Sequence, residues 1–243
     1  MTVPGNHENV PGTLYPPNNA PPEASDFASY SARYTMPGPA SGGNASYYYS
    51  YDYKNVHYMA ICTELDYSPN SPQWLFAQAD LAKAAANKAT VPWIIVKLHR
   101  PVISADASEY TAHCPGAPLA AALGPLFASA GVDLVVQGHE HCYERSAALD
   151  AVTGEIKALP VPGSSPPTYA SPGAPIYIVQ GASGAMQEET FVTPTPAWSL
   201  VAIAADTFGF GRMTVNGATS LFYEFVDIDG FVQDSFLITK STS

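Results

Sequence analysis

Two apolar runs, Val91 to Leu98 and Val132 to Val136, constrain this 243-residue chain more than any other feature. Each has the length and β-branched content of a strand, and each gives way at once to histidine: His99 after the first, Gly138-His139 after the second. Pro118 to Ala130, between them, reads as a helix closed by Gly131, a residue suited to the left-handed turn that ends helices. A further helix is expected ahead of the first run. There Ser71-Pro72 offers an N-cap hydroxyl and a first-turn proline, and Trp74, Ala77, Leu81 and Ala84 recur at helical spacing to Asn87. The order is that of an α/β protein whose chemistry sits at the carboxyl ends of its strands.

Tyr47 to Tyr53 and Val56 to Thr63 read as a strand pair from their aromatic and alternating content. Residues 9–45, rich in Pro, Asn, Ser and Gly, read as a long irregular excursion. Beyond residue 150 the helical spacing disappears. Pro175 to Val179, Val201 to Ala205, Phe210 to Val215, Leu221 to Val226 and Phe231 to Ile238 read as short strands, with hairpin turns at Asn216-Gly217 and Asp229-Gly230. Leu159 to Pro175 reads as a loop. The chain therefore divides into a metal-site α/β part, 1–150, and a β-rich part, 151–243.

Net charge is −11, with no run of Lys or Arg, which argues against nucleic acid as a partner. A phosphate-handling site on so acidic a protein needs bound metal to supply local positive charge. No stretch reaches the roughly 20 apolar residues of a membrane helix, so no membrane partner is expected. The three cysteines are too few for a disulfide framework. Cys62 reads as a buried thiol, while Cys114 and Cys142 each follow a histidine and leave a disulfide between them open. The chain opens Met1-Thr2-Val3-Pro4-Gly5-Asn6-His7 with no signal peptide, almost inside a motif, and an N-terminal truncation is the expectation.

Three short segments carry chemistry: Gly5-Asn6-His7-Glu8, Val96-Lys97-Leu98-His99 and Gly138-His139-Glu140-His141. An Asn side-chain oxygen is a neutral ligand for a hard or borderline cation, and imidazoles suit zinc and iron. In an extended segment alternate side chains share a face, so His139 and His141 present two imidazoles in one direction. Asn44-Ala45-Ser46 is a glycosylation sequon.

Together these segments resemble the last three of five signature blocks of the purple acid phosphatases, within the calcineurin-like metallophosphoesterases. The match continues through His99-Arg100-Pro101, Tyr143-Glu144-Arg145, Gly209-Phe210-Gly211-Arg212 and Asp234-Ser235-Phe236. The first two blocks, D-x-G and G-D-x-x-Y, are absent. The resemblance implies an αββα metallophosphoesterase sandwich, N-terminally truncated, with a β-rich C-terminal part. It implies phosphate monoester hydrolysis at acid pH by a dinuclear centre, iron paired with zinc, manganese or iron. Asn6, His99 and His139 would bind one metal and His141 the other, so one ion is the expectation for these ligands alone. His7 and His113 would contact the phosphoryl group, and His57 and a Glu144-Arg145 pair would be structural. It further implies a secreted or vacuolar/lysosomal parent and an upstream half of the domain as partner. Two alternatives are kept: an inactive metal-binding pseudo-phosphatase fragment, and a phosphodiesterase or nucleotidase of the same superfamily.

Overall fold

The computed structural model describes residues 1–9, 27–186, 190–204 and 207–241. Of the excursion read over 9–45, residues 10–26 lie outside that description. The short helix α1 (Asn6–Asn9) leads into the excursion, whose described parts hold α2 (Ala28–Arg33) and α3 (Gly38–Ser41). Then come β1 (Tyr49–Tyr53), β2 (Val56–Ile61), α4 (Pro72–Ala86), β3 (Trp93–Leu98), α5 (Tyr110–His113), α6 (Pro118–Ala130) and β4 (Leu134–Gln137). The chain continues through β5 (Tyr143–Leu149), β6 (Ile156–Ala158), β7 (Thr168–Ala170), β8 (Ile176–Gln180) and β9 (Ser199–Ile203). It ends in β10 (Gly209–Asn216), β11 (Ser220–Asp227) and β12 (Val232–Thr239).

The large sheet runs β1-β2-β3-β4-β8-β5-β6, with β9 also paired to β5. Strands β2, β3, β4 and β8 are mutually parallel, so their carboxyl ends share one edge of the sheet. The small sheet runs β10-β11-β12-β7. Alternation along β3 sets the layers. Ile94, Val96 and Leu98 pack with α4 and α6 residues such as Leu81 and Phe127, while Trp93 and Ile95 join Phe225, Phe236 and Ile238 of the small sheet. Helices, large sheet and small sheet thus form successive layers over two apolar cores, the mixed α/β architecture the sequence implies. Strands from both sides of residue 150 share the large sheet, because β8 inserts between β4 and β5.

Helix α4 starts as its sequence predicts: Ser71 has extended dihedrals and its hydroxyl accepts from Trp74 N–H at 3.3 Å. Helix α6 carries Pro125 in its interior and still spans Pro118–Ala130. An interior proline costs about 3 kcal/mol. Burial of Leu119, Leu123, Leu126 and Phe127 contributes about 1.5–3 kcal/mol each, which outweighs it. Pro125 itself faces solvent. Gly131 closes the helix at φ 62°, as expected.

Candidate metal centre

The parallel strands deliver the motif residues to one edge. His99 follows β3, Gly138-His139 follows β4, Gly181 follows β8, and Thr63-Glu64 lies just past β2. Gly5-Asn6-His7-Glu8 comes alongside as the turn of α1, where the Glu8 carboxylate accepts from Gly5 N–H at 2.7 Å. Glu8 is thus a local brace rather than part of the chemistry. The backbone at Gly5 runs against the His99 ring, and an added Cβ there would lie 2.7 Å from it. Only glycine permits that approach.

A cavity of about 450 Å³ is lined by Asn6, His7, His99, Glu109, His139 and His141, among others. Asn6 Oδ1 lies 2.7 Å from His99 Nε2, and His139 Nδ1 lies 3.2 Å from the same nitrogen. His139 reaches this position through a left-handed backbone, φ 72°, uncommon for a residue with a side chain. If His139 Nδ1 carries the proton, His99 Nε2 meets the Asn6 oxygen lone pair to lone pair. If His139 Nε2 carries it, that N–H turns to the Glu109 carboxylate 3.4 Å away, beside the Arg100 Nη1 donor at 3.2 Å, and His99 Nε2–H is free to donate to Asn6 Oδ1. A cation between Asn6 Oδ1, His99 Nε2 and His139 Nδ1 would instead meet a lone pair from each of the three. The donor set fits a borderline metal such as zinc or iron.

Burial pushes His99 down to about 3, with the neighbouring His139 and Arg100 adding to the effect. His139 is lowered too, by burial and then by Arg100. Both rings are therefore held in the neutral form that ligates metal. His141 donates from Nδ1 to the Met186 carbonyl at 2.7 Å, which leaves Nε2 as its lone-pair nitrogen. His7 stands exposed at the rim.

His113, expected to touch the phosphoryl group, is buried. Its side chain is 4% exposed, and it lines a neighbouring cavity with Thr63, Tyr67 and Arg100. The cause is local: His113 closes α5, and its carbonyl accepts from Ser104 N–H at 2.9 Å, which turns the ring inward. There Nε2 lies 3.3 Å from both Glu109 and Glu140.

The supports come from residues that carry no motif. Arg100 is fixed by Glu64, Nε to Oε1 at 2.8 Å, and by Thr63 Oγ1, which accepts from its backbone N–H at 3.0 Å. Gln137 Oε1 accepts from Val102 N–H at 2.6 Å, and its Nε2 donates to the Ile103 carbonyl at 3.0 Å, so the loop after His99 is tied to β4. Glu144 and Arg145, expected to be structural, make separate contacts. Adjacent in β5, they point to opposite faces. Glu144 accepts from Ser104 Oγ, Ala105 N–H and Ser199 Oγ, and burial raises its carboxyl. Arg145 crosses to the small sheet and meets Asp234. His57 is structural in position, held between Asp52 at 2.7 Å and Asp80 at 2.9 Å. Cys62 and Cys142 are buried, and no disulfide joins Cys114 to Cys142.

Glu109 was not singled out in the sequence, because no motif surrounds it. Its Oε2 reaches His139 Nε2 at 3.4 Å. Burial alone would raise this carboxyl, but His139, His113 and Arg100 outweigh it and lower the value.

The calcineurin-like phosphoesterase family model matches residues 1–143, and that of the iron/zinc purple acid phosphatase-like protein C-terminal region matches residues 174–235. An acid phosphatase of Aspergillus ficuum is 27% identical over 99% of this chain and 49% of its own length. Acid phosphatase type 7 of Danio rerio is 31% identical over 99% of this chain and 53% of its own. Among solved structures, the purple acid phosphatase from yellow lupin (Lupinus luteus) seeds aligns with a TM-score of 0.80 at 25% identity, covering 99% of this chain and 40% of that one. The chain spans about half the length of the curated relatives it matches. With histidine motifs, parallel-strand edge and family matches all in register, the chain belongs to the calcineurin-like phosphoesterases and carries the C-terminal region characteristic of purple acid phosphatases.

Proposed function

We propose that this chain forms the downstream part of a metal-dependent acid phosphatase that hydrolyses phosphate monoesters at a dinuclear centre. The observation that carries the proposal is the convergence of Asn6 Oδ1, His99 Nε2 and His139 Nδ1 from three segments, Asn6 and His99 being 93 residues apart in sequence and His99 and His139 40. Asn6, His99 and His139 hold one ion and His141 the other; in the family these are iron with zinc, manganese or iron. Such ions supply positive charge to phosphoryl oxygens and lower the pKa of water toward about 7. The residues do the rest. His7, exposed at the rim, hydrogen-bonds the phosphoryl group or hands a proton to the leaving oxygen. Arg100 and Glu109 fix the His139 ring, and the Met186 carbonyl fixes that of His141. His113 braces Glu140 and Glu109 from behind and does not reach the ester.

The ligand inventory favours a second reading for the 243-residue polypeptide by itself: one ion tightly held at this centre without turnover, since the centre's other ion has His141 alone. The upstream half of the domain is then the partner that restores hydrolysis. A secreted or vacuolar setting agrees with the exposed Asn44 of the sequon. Among the described residues no helix is long and apolar enough to cross a membrane.

The test is hydrolysis of a chromogenic phosphate monoester at acid pH with iron and zinc present, for the chain alone and for the chain co-refolded with its upstream segment. Turnover is expected in the second case and lost in His99→Ala and His139→Ala. A panel of diesters and nucleotides separates monoesterase from diesterase or nucleotidase. Turnover that persists in Asn6→Ala and His139→Ala refutes the proposal.

A further inference from the structure

We propose a second cation site on the far side of His139, built from Glu109, His113, Glu140 and His139 Nε2, that takes zinc or a similar borderline divalent ion. One ligand atom from each residue lies within 4.8 Å of all the others. Three of the separations are the informative ones. His113 Nε2 is 3.3 Å from Glu109 Oε2 and 3.3 Å from Glu140 Oε1, and His139 Nε2 is 3.4 Å from Glu109 Oε2. A tetrahedron with bonds of about 2.0–2.1 Å to zinc has edges of about 3.3–3.4 Å. The protein therefore already holds three edges of that tetrahedron, and the remaining separations, none above 4.8 Å, have to close by up to about 1.4 Å.

Hydrogen bonding does not explain the crowding. His113 is 3% exposed, and among the described residues its ring nitrogens meet no partner at full hydrogen-bond geometry, although the Pro101 carbonyl and the Glu109 carboxylate lie near enough to favour its protonated form. A buried imidazole normally finds such a partner, since leaving one unmade costs about 1–3 kcal/mol. A ring aimed between two carboxylates at coordination distances, without hydrogen bonds to either, is arranged for an ion. Two carboxylates and two imidazoles make a donor set of the kind borderline metals prefer.

One group opposes occupancy. Arg100 Nη1 lies 3.2 Å from His139 Nε2 and 3.7 Å from Glu109 Oε2, so its guanidinium covers the entry and must swing aside. Its other side, Nε, stays with Glu64. When both faces of His139 are loaded, the ring gives its remaining proton to solvent and bridges the ions as imidazolate. Of its four ligands only His139 is also a metal ligand in the phosphatase reading, and the site does not depend on turnover.

Zinc is titrated into the wild-type chain and variants by calorimetry, with elemental analysis after gel filtration. Asn6→Ala is expected to lose one zinc and keep another, and Asn6→Ala with His113→Gln to lose both. Arg100→Met is expected to tighten the remaining site at least tenfold. Folding of each variant is checked by circular dichroism. Independently of any variant, zinc-soaked wild-type crystals should show an anomalous peak about 2.0–2.1 Å from His113 Nε2. Absence of that peak, or zinc retention by Asn6→Ala that is indifferent to His113→Gln in a folded protein, overturns the proposal. Zinc bound there, with no turnover even after co-refolding with the upstream segment, leaves it standing and sinks only the catalytic reading.

Discussion

Asp234→Ala should be among the most damaging single substitutions outside the candidate centre. Arg145 and Asp234 join the two sheets through a bidentate pair, Nε to Oδ2 at 2.7 Å and Nη2 to Oδ1 at 3.1 Å, with side chains 4% and 9% exposed. Asp234 Oδ2 also accepts from the Tyr143 hydroxyl at 2.7 Å. Among the described residues, truncation leaves the guanidinium the Tyr169 hydroxyl, 2.7 Å from Nη1, as its hydrogen-bond partner, with the Phe236 ring beneath it, and leaves the Tyr143 hydroxyl unmatched. Removing one partner of a buried ion pair costs about 3–5 kcal/mol, because the remaining charge stays desolvated. For a chain of this length each kcal/mol lowers the melting temperature by about 2–4 °C, so a fall of about 6–20 °C is expected. The cost should persist in 1 M salt, since buried pairs are weakly screened. Adding Arg145→Leu should recover part of the loss by removing the stranded charge. Urea unfolding of both variants, with m-values compared, is the assay. An Asp234→Ala midpoint within about 1 kcal/mol of wild type, or a double variant no more stable than the single, refutes the reasoning.

Three further outcomes follow from the same contacts. His57 is opposed by burial, but its hydrogen bonds to Asp80 and Asp52 prevail and raise its pKa above the ordinary 6.5. Its stabilising contribution is therefore full below about pH 6.5 and fades as pH rises through the folded-state value. The stability gap between wild type and His57→Gln, from urea curves, should be larger at about pH 5.5 than at about pH 9, and a flat gap contradicts the clamp. Gly5→Ala drives a Cβ to 2.7 Å from the His99 ring and should weaken zinc binding at Asn6 and His99 by at least tenfold in calorimetry. Gly181→Ala places a Cβ 1.8 Å from the Glu140 carbonyl oxygen, a backbone atom that cannot step aside. It should displace the His139–His141 loop and lower both thermal stability and zinc affinity, read by scanning calorimetry and titration.

Much of the frame was legible before folding. The apolar runs at β3 and β4, the capped helices α4 and α6 and the hairpins of the small sheet all follow from local patterns, because each element's side chains repeat with its own period. The histidine motifs were legible for a related reason: a strand end followed at once by His is a short-range signal. Strand β5 was not. All of Tyr143–Leu149 is buried, yet Glu144, Arg145 and Ser146 give it no apolar alternation. Those polar groups are tolerated only because Ser104, Ser199, Asp234 and the backbone at Ala147 and Tyr177 meet them from elsewhere in the fold. Strand β7, within the stretch read as a loop, is too short to show a period and pairs in parallel with distant β12.

The sequence by itself determined the α/β order, the identity of the candidate ligands and their location at strand ends, since these depend on residues near one another in the chain. Only the tertiary structure decided which ligands meet. Asn6 joins His99 and His139 because parallel β3 and β4 end on one edge and a glycine lets α1 close onto it. His113, which lies among the same loops in sequence, is buried with its ring between Glu109 and Glu140. Glu109 enters the site with no motif to announce it. Burial and the orientation of a helix end settle such placements, and both are properties of the packed layers rather than of any short stretch of chain.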